Sequence, residues 1–140
     1  MAFNGYLIAL GTAKTQFPLK YMRYESYQTT PDQRLDLDST RDTTGVLHRT
    51  VLAHTATKIE FNMPMMSNRE MQLALAYFKN AFSDAQARTI QVEYYDEWTD
   101  SYKTGRFYMP DIHFQIRQIE RIGSADVINY GETRIAFIEY

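Results

Sequence analysis

Lys58-Ile-Glu-Phe-Asn-Met63-Pro64-Met-Met-Ser67-Asn-Arg-Glu70-Met71 changes its period at Pro64, and that change defines the fold class. Before the proline, Ile59, Phe61 and Met63 alternate with polar residues, the pattern of a strand with one buried face. Proline supplies no backbone N–H, so Pro64 ends that strand. After it, Ser67-Asn-Arg-Glu70 forms a capping box, with Met66 and Met71 placed as a hydrophobic staple. Met71, Leu75, Phe78 and Phe82 follow at spacings of four, three and four, one face of a helix that ends at Ser83-Asp84.

On both sides of this helix the sequence returns to strand character. Residues 17–28 read as a strand carrying Tyr21, Tyr24 and Tyr27, with a turn at Thr29-Thr-Pro-Asp32. Leu35 and Leu37 alternate with Arg34, Asp36 and Asp38, which predicts a half-buried strand. Asp38-Ser-Thr-Arg-Asp-Thr-Thr-Gly45 lacks large apolar side chains and reads as an exposed loop, before a β-prone run over residues 46–53.

Beyond the helix, residues 88–97 and 102–109 form a hairpin. A turn centred on Thr99-Asp100 places Asp96 opposite Lys103, Glu93 opposite Arg106 and Val92 opposite Phe107, so charge and packing agree. Residues 111–120 read as a strand burying Ile112, Phe114 and Ile116, and Gly123-Ser-Ala-Asp126 reads as a turn. The run over residues 133–140 is apolar on both faces between Ile135 and Ile138, which suits a central strand or an interface.

The expected architecture is mainly β with one α-helix: an antiparallel sandwich or barrel flanked by a helix, in a single domain over residues 1–140. Residues 1–15 form an N-terminal docking segment, and residues 29–57 form an extended arm. The start has no basic n-region, and its apolar stretch is too short for a signal peptide or a membrane span, so synthesis and folding in the cytoplasm are expected.

Composition excludes several chemistries. There is no cysteine, hence no disulfide framework, thiolate nucleophile or cysteine-based zinc site. A net charge of −2 marks no phosphate-backbone binder. Aromatics make up 14% of the chain, a surplus that favours strands and interfaces. The carboxylates Glu93, Asp96, Glu97 and Asp100 do not read as a metal site, since Glu93 and Asp96 fall on opposite strand faces and each has a basic partner across the hairpin. The histidines at 48, 54 and 113 fit no ligand or triad spacing, and the glycines are isolated. No catalytic, cofactor-binding or metal residues, and no small-molecule substrate, are therefore expected. A rival reading is an OB-like or sandwich binding module for single-stranded nucleic acid or a peptide. It rests on Lys20-Tyr-Met-Arg-Tyr24, where Tyr21 and Arg23 share a face.

Arg41-Asp-Thr-Thr-Gly-Val-Leu-His-Arg49, Lys58-Ile-Glu-Phe61 and the capped helix resemble small phage and prophage tail proteins of the tail-tube and baseplate-ring class. So do Tyr94-Tyr-Asp96, Thr104-Gly-Arg-Phe-Tyr108 with Asp111, and Ala136-Phe-Ile-Glu-Tyr140. The resemblance runs from Tyr24 to the end of the sequence. It implies a non-catalytic virion protein, assembled in the host cytoplasm, whose copies join sheet edges into a ring, usually of six, around a DNA channel. Partners would be the chain itself and adjacent tail or baseplate proteins, with DNA only passing through the lumen. The arm reaching a neighbour would carry Asp38, Ser39, Thr40, Arg41, Asp42 and Gly45.

Overall fold

The structure, a computed structural model, describes residues 3–140; Met1 and Ala2 of the N-terminal segment lie outside the described residues. A short hairpin comes first, β1 (Ile8–Leu10) with β2 (Thr15–Gln16), and then a single 3-10 turn at Leu19–Tyr21. β3 (Gln28–Asp36) runs out to a small hairpin, β4 (Thr40–Arg41) and β5 (Leu47–His48), and β6 (Val51–Met63) runs back. β7 (Met66–Ser67) leads into α1 (Asn68–Lys79). The rest is strand: β8 (Phe82–Asp84), β9 (Thr89–Asp96), β10 (Ser101–Tyr108), β11 (Ile116–Ile122), β12 (Ala125–Tyr130) and β13 (Thr133–Glu139).

The protein is thus mainly β with one helix, and every strand pair is antiparallel. The main sheet has the order β2-β1-β9-β10-β13-β6-β3, with β8 also paired to β9. β13 accompanies β6 from Thr133 to Ile138 but meets β10 only at Ile138 and Glu139. At that seam the sheet folds over, so Ile8, Val92 and Phe107 on one side share a core with Ile59, Phe61 and Phe137 on the other. β13 sits centrally, and its two-faced apolar run is buried at Ile135, Ala136 and Phe137.

α1 covers this core. Ser67 Oγ accepts the Glu70 amide at the helix start, satisfying one of the free N–H groups there. The helix buries Met71, Ala74, Leu75 and Phe78, and Phe78 stacks on Phe17 at 5.1 Å and meets Phe137 at 5.8 Å. The β1–β2 turn packs against the residues after the helix. Gly11 has φ +75°, and a Cβ there would come within 3.2 Å of Ala81.

Several expectations need correction. Phe82 is not on the helix: α1 ends at Lys79, and Phe82 opens β8, paired with Ile90, because strand pairing to β9 replaces another helical turn. Residues 17–28 are not a strand. Pro18 caps the 3-10 turn, and packing of Tyr21 against Phe17 and Tyr77 overrides the strand preference of its tyrosines. Thr29 to Asp32 is not a turn but part of β3, with a bulge at Pro31 and Asp32, the latter at φ 52°.

The β9–β10 register differs by two residues from the sequence expectation. Asp96 faces Ser101, Glu93 faces Thr104 and Ile90 faces Phe107. A shift of two preserves which face each side chain occupies, so the hydrophobic pattern cannot detect it. Residues 111–115 are not strand. β11 starts at Ile116, with Ile112 half-buried and Phe114 and Ile116 exposed. Part of the aromatic surplus is spent inside the molecule: Phe17, Phe61, Phe78, Phe107 and Phe137 are fully buried in one chain.

Candidate assembly surfaces

The expected arm is an ordered β-ribbon. β13 pairs with β6 only from Lys58 onward, so between Val51 and Thr57 the sole partner of β6 among the described residues is β3. From residue 33 to residue 51 every side chain is exposed. Leu35 and Leu37, expected to be half-buried, stand 64% and 69% exposed. Val46 near the tip is 55% exposed. Alternation puts Leu35 and Leu37 on one face and Asp36 on the other, so the ribbon has an apolar side and a charged side.

The ribbon's own polar groups hold its shape. Asp36 takes both Arg49 Nε at 3.1 Å and Nη2 at 2.9 Å, a bidentate pair, and also the Ser39 hydroxyl. The Arg49 and Ser39 hydrogen bonds hold the Asp36 carboxyl below its ordinary value, and Asp36 in turn raises Arg49. At the tip, Asp42 accepts the Thr44 hydroxyl, the Thr44 and Val46 amides and His48 Nε2. The Thr44 hydroxyl, then His48 and the Val46 amide, bring its pKa down to about 2. Arg41 Nη1 donates to the Gly45 carbonyl, closing the turn. Thr40 pairs with His48. Asp38 is exposed.

At the ribbon's root a polar network crosses the fold. Thr57 Oγ1 accepts the Asp32 amide at 3.2 Å and meets the Tyr94 hydroxyl at 3.2 Å. The Thr57 amide donates to Glu139 Oε1. Lys103 Nζ lies 3.0 Å from Asp96 and 3.7 Å from Asp32. Burial would push the Asp96 carboxyl up, but hydrogen bonds from Lys103, Thr99 and the Trp98 amide outweigh it and leave it lowered. The sequence pattern assigns no polar contact to Asp32, Thr57, Tyr94 or Glu139, and it reads Thr29 to Asp32 as a turn.

The predicted ion pairs of the hairpin separate. Asp96 and Lys103 meet diagonally across the strands. Glu93 and Arg106 do not meet. Glu93 binds Lys14 at 2.8 Å and accepts the Tyr6 hydroxyl at 2.6 Å, which lowers Glu93 and pushes Tyr6 up to about 12. Arg106 lies over the Tyr140 ring at 4.3 Å. These contacts belong to the register actually adopted and to β1, which the sequence does not place beside β9.

The N-terminal segment, from Phe3, lies on its own chain: Tyr6 stacks on Tyr102 at 4.5 Å and β1 pairs with β9. The sheet's borders are short or broken. β2 and β8 have two and three residues, and β3 carries Pro31 and its bulge, features that resist strand addition. A second hairpin, β11–β12, exposes Ile116, Ile119 and Ile122. The Lys20 to Tyr24 stretch is off the sheet, with Tyr24 86% exposed and Arg23 paired to Glu132.

Among the described residues no three His, Asp or Glu side chains converge as for a metal ion. Glu97 instead accepts the Thr29 hydroxyl, and Asp100 the Tyr95 hydroxyl, which pushes Tyr95 up to about 12. A cleft of about 400 Å³ beside α1, bordered by Gly11, Leu73, Tyr77, Asn80 and Gln91, contains no carboxylate, histidine or lysine. No described helix is long and apolar enough to cross a membrane.

Fold and surfaces together define a helix-covered antiparallel β-body that projects an amphipathic ribbon. The chain belongs to a family of unknown function (DUF6711), whose model matches residues 1–140. No curated protein matches it. Two chains in solved assemblies are similar over 99% of this chain and 95% of their own, each with a TM-score of 0.48. One comes from the virion of a native gene transfer agent (GTA) particle, at 14% identity. The other comes from the tail of an empty GTA particle with C6 symmetry, at 15%.

Proposed function

We propose that this chain is a non-catalytic structural subunit of a phage tail or baseplate, which assembles with copies of itself into a ring, six-membered by the sequence resemblance. It would reside in the virion tail after assembly in the host cytoplasm, with adjacent tail proteins as further partners and DNA passing through the lumen. One observation carries the assembly reading: the ribbon over residues 33–51 is fully exposed yet pre-formed, with Leu35 and Leu37 on an apolar face. Ordering such an extension for solvent alone gains little, whereas a subunit that covers it removes that surface from water. The ribbon supports more contact than the sheet borders do, since those are short or interrupted at Pro31.

Mass measurement of the purified protein across a concentration series tests this. The expected result is a closed oligomer whose formation is lost on deleting residues 39–44, with the thermal unfolding of the body retained. A chain that stays monomeric at every concentration and with tail partners added overturns the reading. A deletion that unfolds the body removes the separation between ribbon and core on which it depends.

The rival binding module for single-stranded nucleic acid has lost its platform, because Tyr21 is buried in a 3-10 turn and Arg23 is engaged by Glu132. Salt-dependent binding of a single-stranded oligonucleotide, lost with Tyr24→Ala, would restore it.

A further inference from the structure

We infer that the Asn4–Gly5 bond is a self-modification site, which rearranges without an enzyme to an isoaspartate linkage and so frees the N-terminal segment from Tyr102. The site is independent of whether copies of the chain assemble. Asn4-Gly5 sets a side-chain amide next to a residue that has no side chain. Both residues are exposed. Gly5 has φ +90°, and a Cβ built on it would meet nothing within 4 Å, so nothing crowds this stretch of backbone. The other asparagines lack this combination. Met63, Arg69, Ala81 and Tyr130 follow Asn62, Asn68, Asn80 and Asn129, and each carries a Cβ beside the nitrogen that would have to attack. Asn62 and Asn129 are also held in β6 and β12, and Asn68 in α1.

The reaction balances with water alone. The Gly5 backbone nitrogen attacks Cγ of Asn4, a C–N bond forms, and a five-membered succinimide ring closes. The bond from Cγ to the side-chain nitrogen breaks, and that nitrogen leaves as ammonia with the proton given up by Gly5. Water then opens the ring at either carbonyl carbon, adding hydroxyl to carbon and a proton to nitrogen. Opening at Cγ gives aspartate. Opening at the main-chain carbonyl gives isoaspartate, whose chain runs through Cβ and Cγ and is one carbon longer.

The fold gives that extra carbon a consequence. The Tyr102 hydroxyl brackets the Asn4–Gly5 bond: it accepts the Asn4 amide at 3.0 Å and donates to the Tyr6 carbonyl at 2.6 Å. The Tyr6 ring stacks on Tyr102 at 4.5 Å, and Phe3 meets Tyr95 edge-on at 5.7 Å. One more carbon lengthens the bracketed path by about 1.5 Å. Hydrogen bonds of these lengths do not survive such a stretch, so one hydroxyl no longer holds both ends. The release stops at β1. The Leu7 carbonyl accepts the Tyr95 amide and β1 pairs with β9 from Ile8, so residues 3–6 detach while the core keeps its strands.

Purified protein aged at neutral pH is compared with fresh protein by peptide mapping, using fragmentation that separates isoaspartate from aspartate. Isoaspartate and aspartate are both expected at position 4, with Asn62, Asn68, Asn80 and Asn129 unchanged in the same sample. Asn4→Gln keeps Gly5 and an amide but would need a six-membered ring, and it should lose the conversion. An Asn4 that stays intact, or that yields aspartate alone, overturns the site. Hydrogen exchange reads the release separately. The Asn4 amide is expected to lose its protection in aged protein, and fresh Tyr102→Phe protein should show the same loss without conversion. Aged protein that contains isoaspartate yet exchanges like fresh protein overturns the release. Aged and fresh samples are the same chain, so both tests stand even where a variant fails to fold.

Discussion

Glu139 Oε1 accepts the Thr57 amide at 2.9 Å, at the point where β13 leaves β6 to pair with β10. A side chain thus takes the place of the strand that has turned away. The Thr57 amide is buried, and without this acceptor it would be left unpaired. The same carboxylate crosses over Gly105, where a Cβ would also fall 2.9 Å from the Phe107 ring. The seam that folds the sheet therefore depends on two residues, one supplying an acceptor and the other supplying space.

Glu139→Ala should destabilise the protein by about 1–3 kcal/mol, the cost of stranding a buried donor. Glu139→Gln keeps a carbonyl acceptor and should recover most of that loss. Urea unfolding of the two variants gives the comparison; equal losses would mean that charge, not the Thr57 hydrogen bond, is what matters. Gly105→Ala should also be destabilising, because Phe107 is locked in the core and cannot yield.

Phe78→Ala should cost about 3–5 kcal/mol, since its side chain is fully buried against Phe17 and Phe137. Phe82→Ala should cost distinctly less, because Phe82 is half-buried on β8. Equal losses in denaturant unfolding would return Phe82 to the helix face.

Asp42 makes the ribbon tip sensitive to acid. Its folded pKa is lowered to about 2, so its contribution is complete above the ordinary carboxylate value of about 3.9 and is lost as pH falls through about 2. Hydrogen exchange of the Thr44 and Val46 amides should show protection at pH 5 that fades towards pH 2. In Asp42→Asn, which still accepts hydrogen bonds but lacks the charge, protection should be weaker at pH 5 and flatter with pH. An unchanged profile in that variant would remove Asp42 from the tip's support.

Lys103→Met should move the acid limb of body unfolding upward. Asp96 is lowered despite burial because Lys103, Thr99 and the Trp98 amide outweigh it, so its contribution is present above the unfolded value and lost as pH falls through the folded one. Removing Lys103 raises that folded value, and the loss of stability on acidification should begin at higher pH. Urea midpoints measured from pH 6 to pH 2 for both proteins give the test, and coincident curves would refute it.

Leu35→Asp with Leu37→Asp should leave monomer stability within about 0.5 kcal/mol, as exposed substitutions usually do, while eliminating assembly. Thermal unfolding and sedimentation read the two effects separately.

What was legible in the sequence was whatever repeats within a few residues. The two-residue period of Ile59, Phe61 and Met63, the stop at Pro64, the Ser67 cap and the apolar run at Ile135 to Phe137 all describe a chain that is mainly strand with one helix. Those signals are local because alternation, capping and proline act through neighbouring backbone atoms.

The tertiary structure alone decided which strands met, in what register, and which apolar residues were left in water. Leu35 and Leu37 alternate as convincingly as Phe61 and Met63, yet one pair is exposed and the other is buried, because β13 and α1 cover only the Lys58 to Met63 part of β6. The two-residue slip of the hairpin, the β13 switch at Ile138 and the pairing of Glu93 with Lys14 arise from contacts between residues far apart in the chain. Periodicity states which side of a strand is apolar; what that side meets depends on how the whole sheet bends.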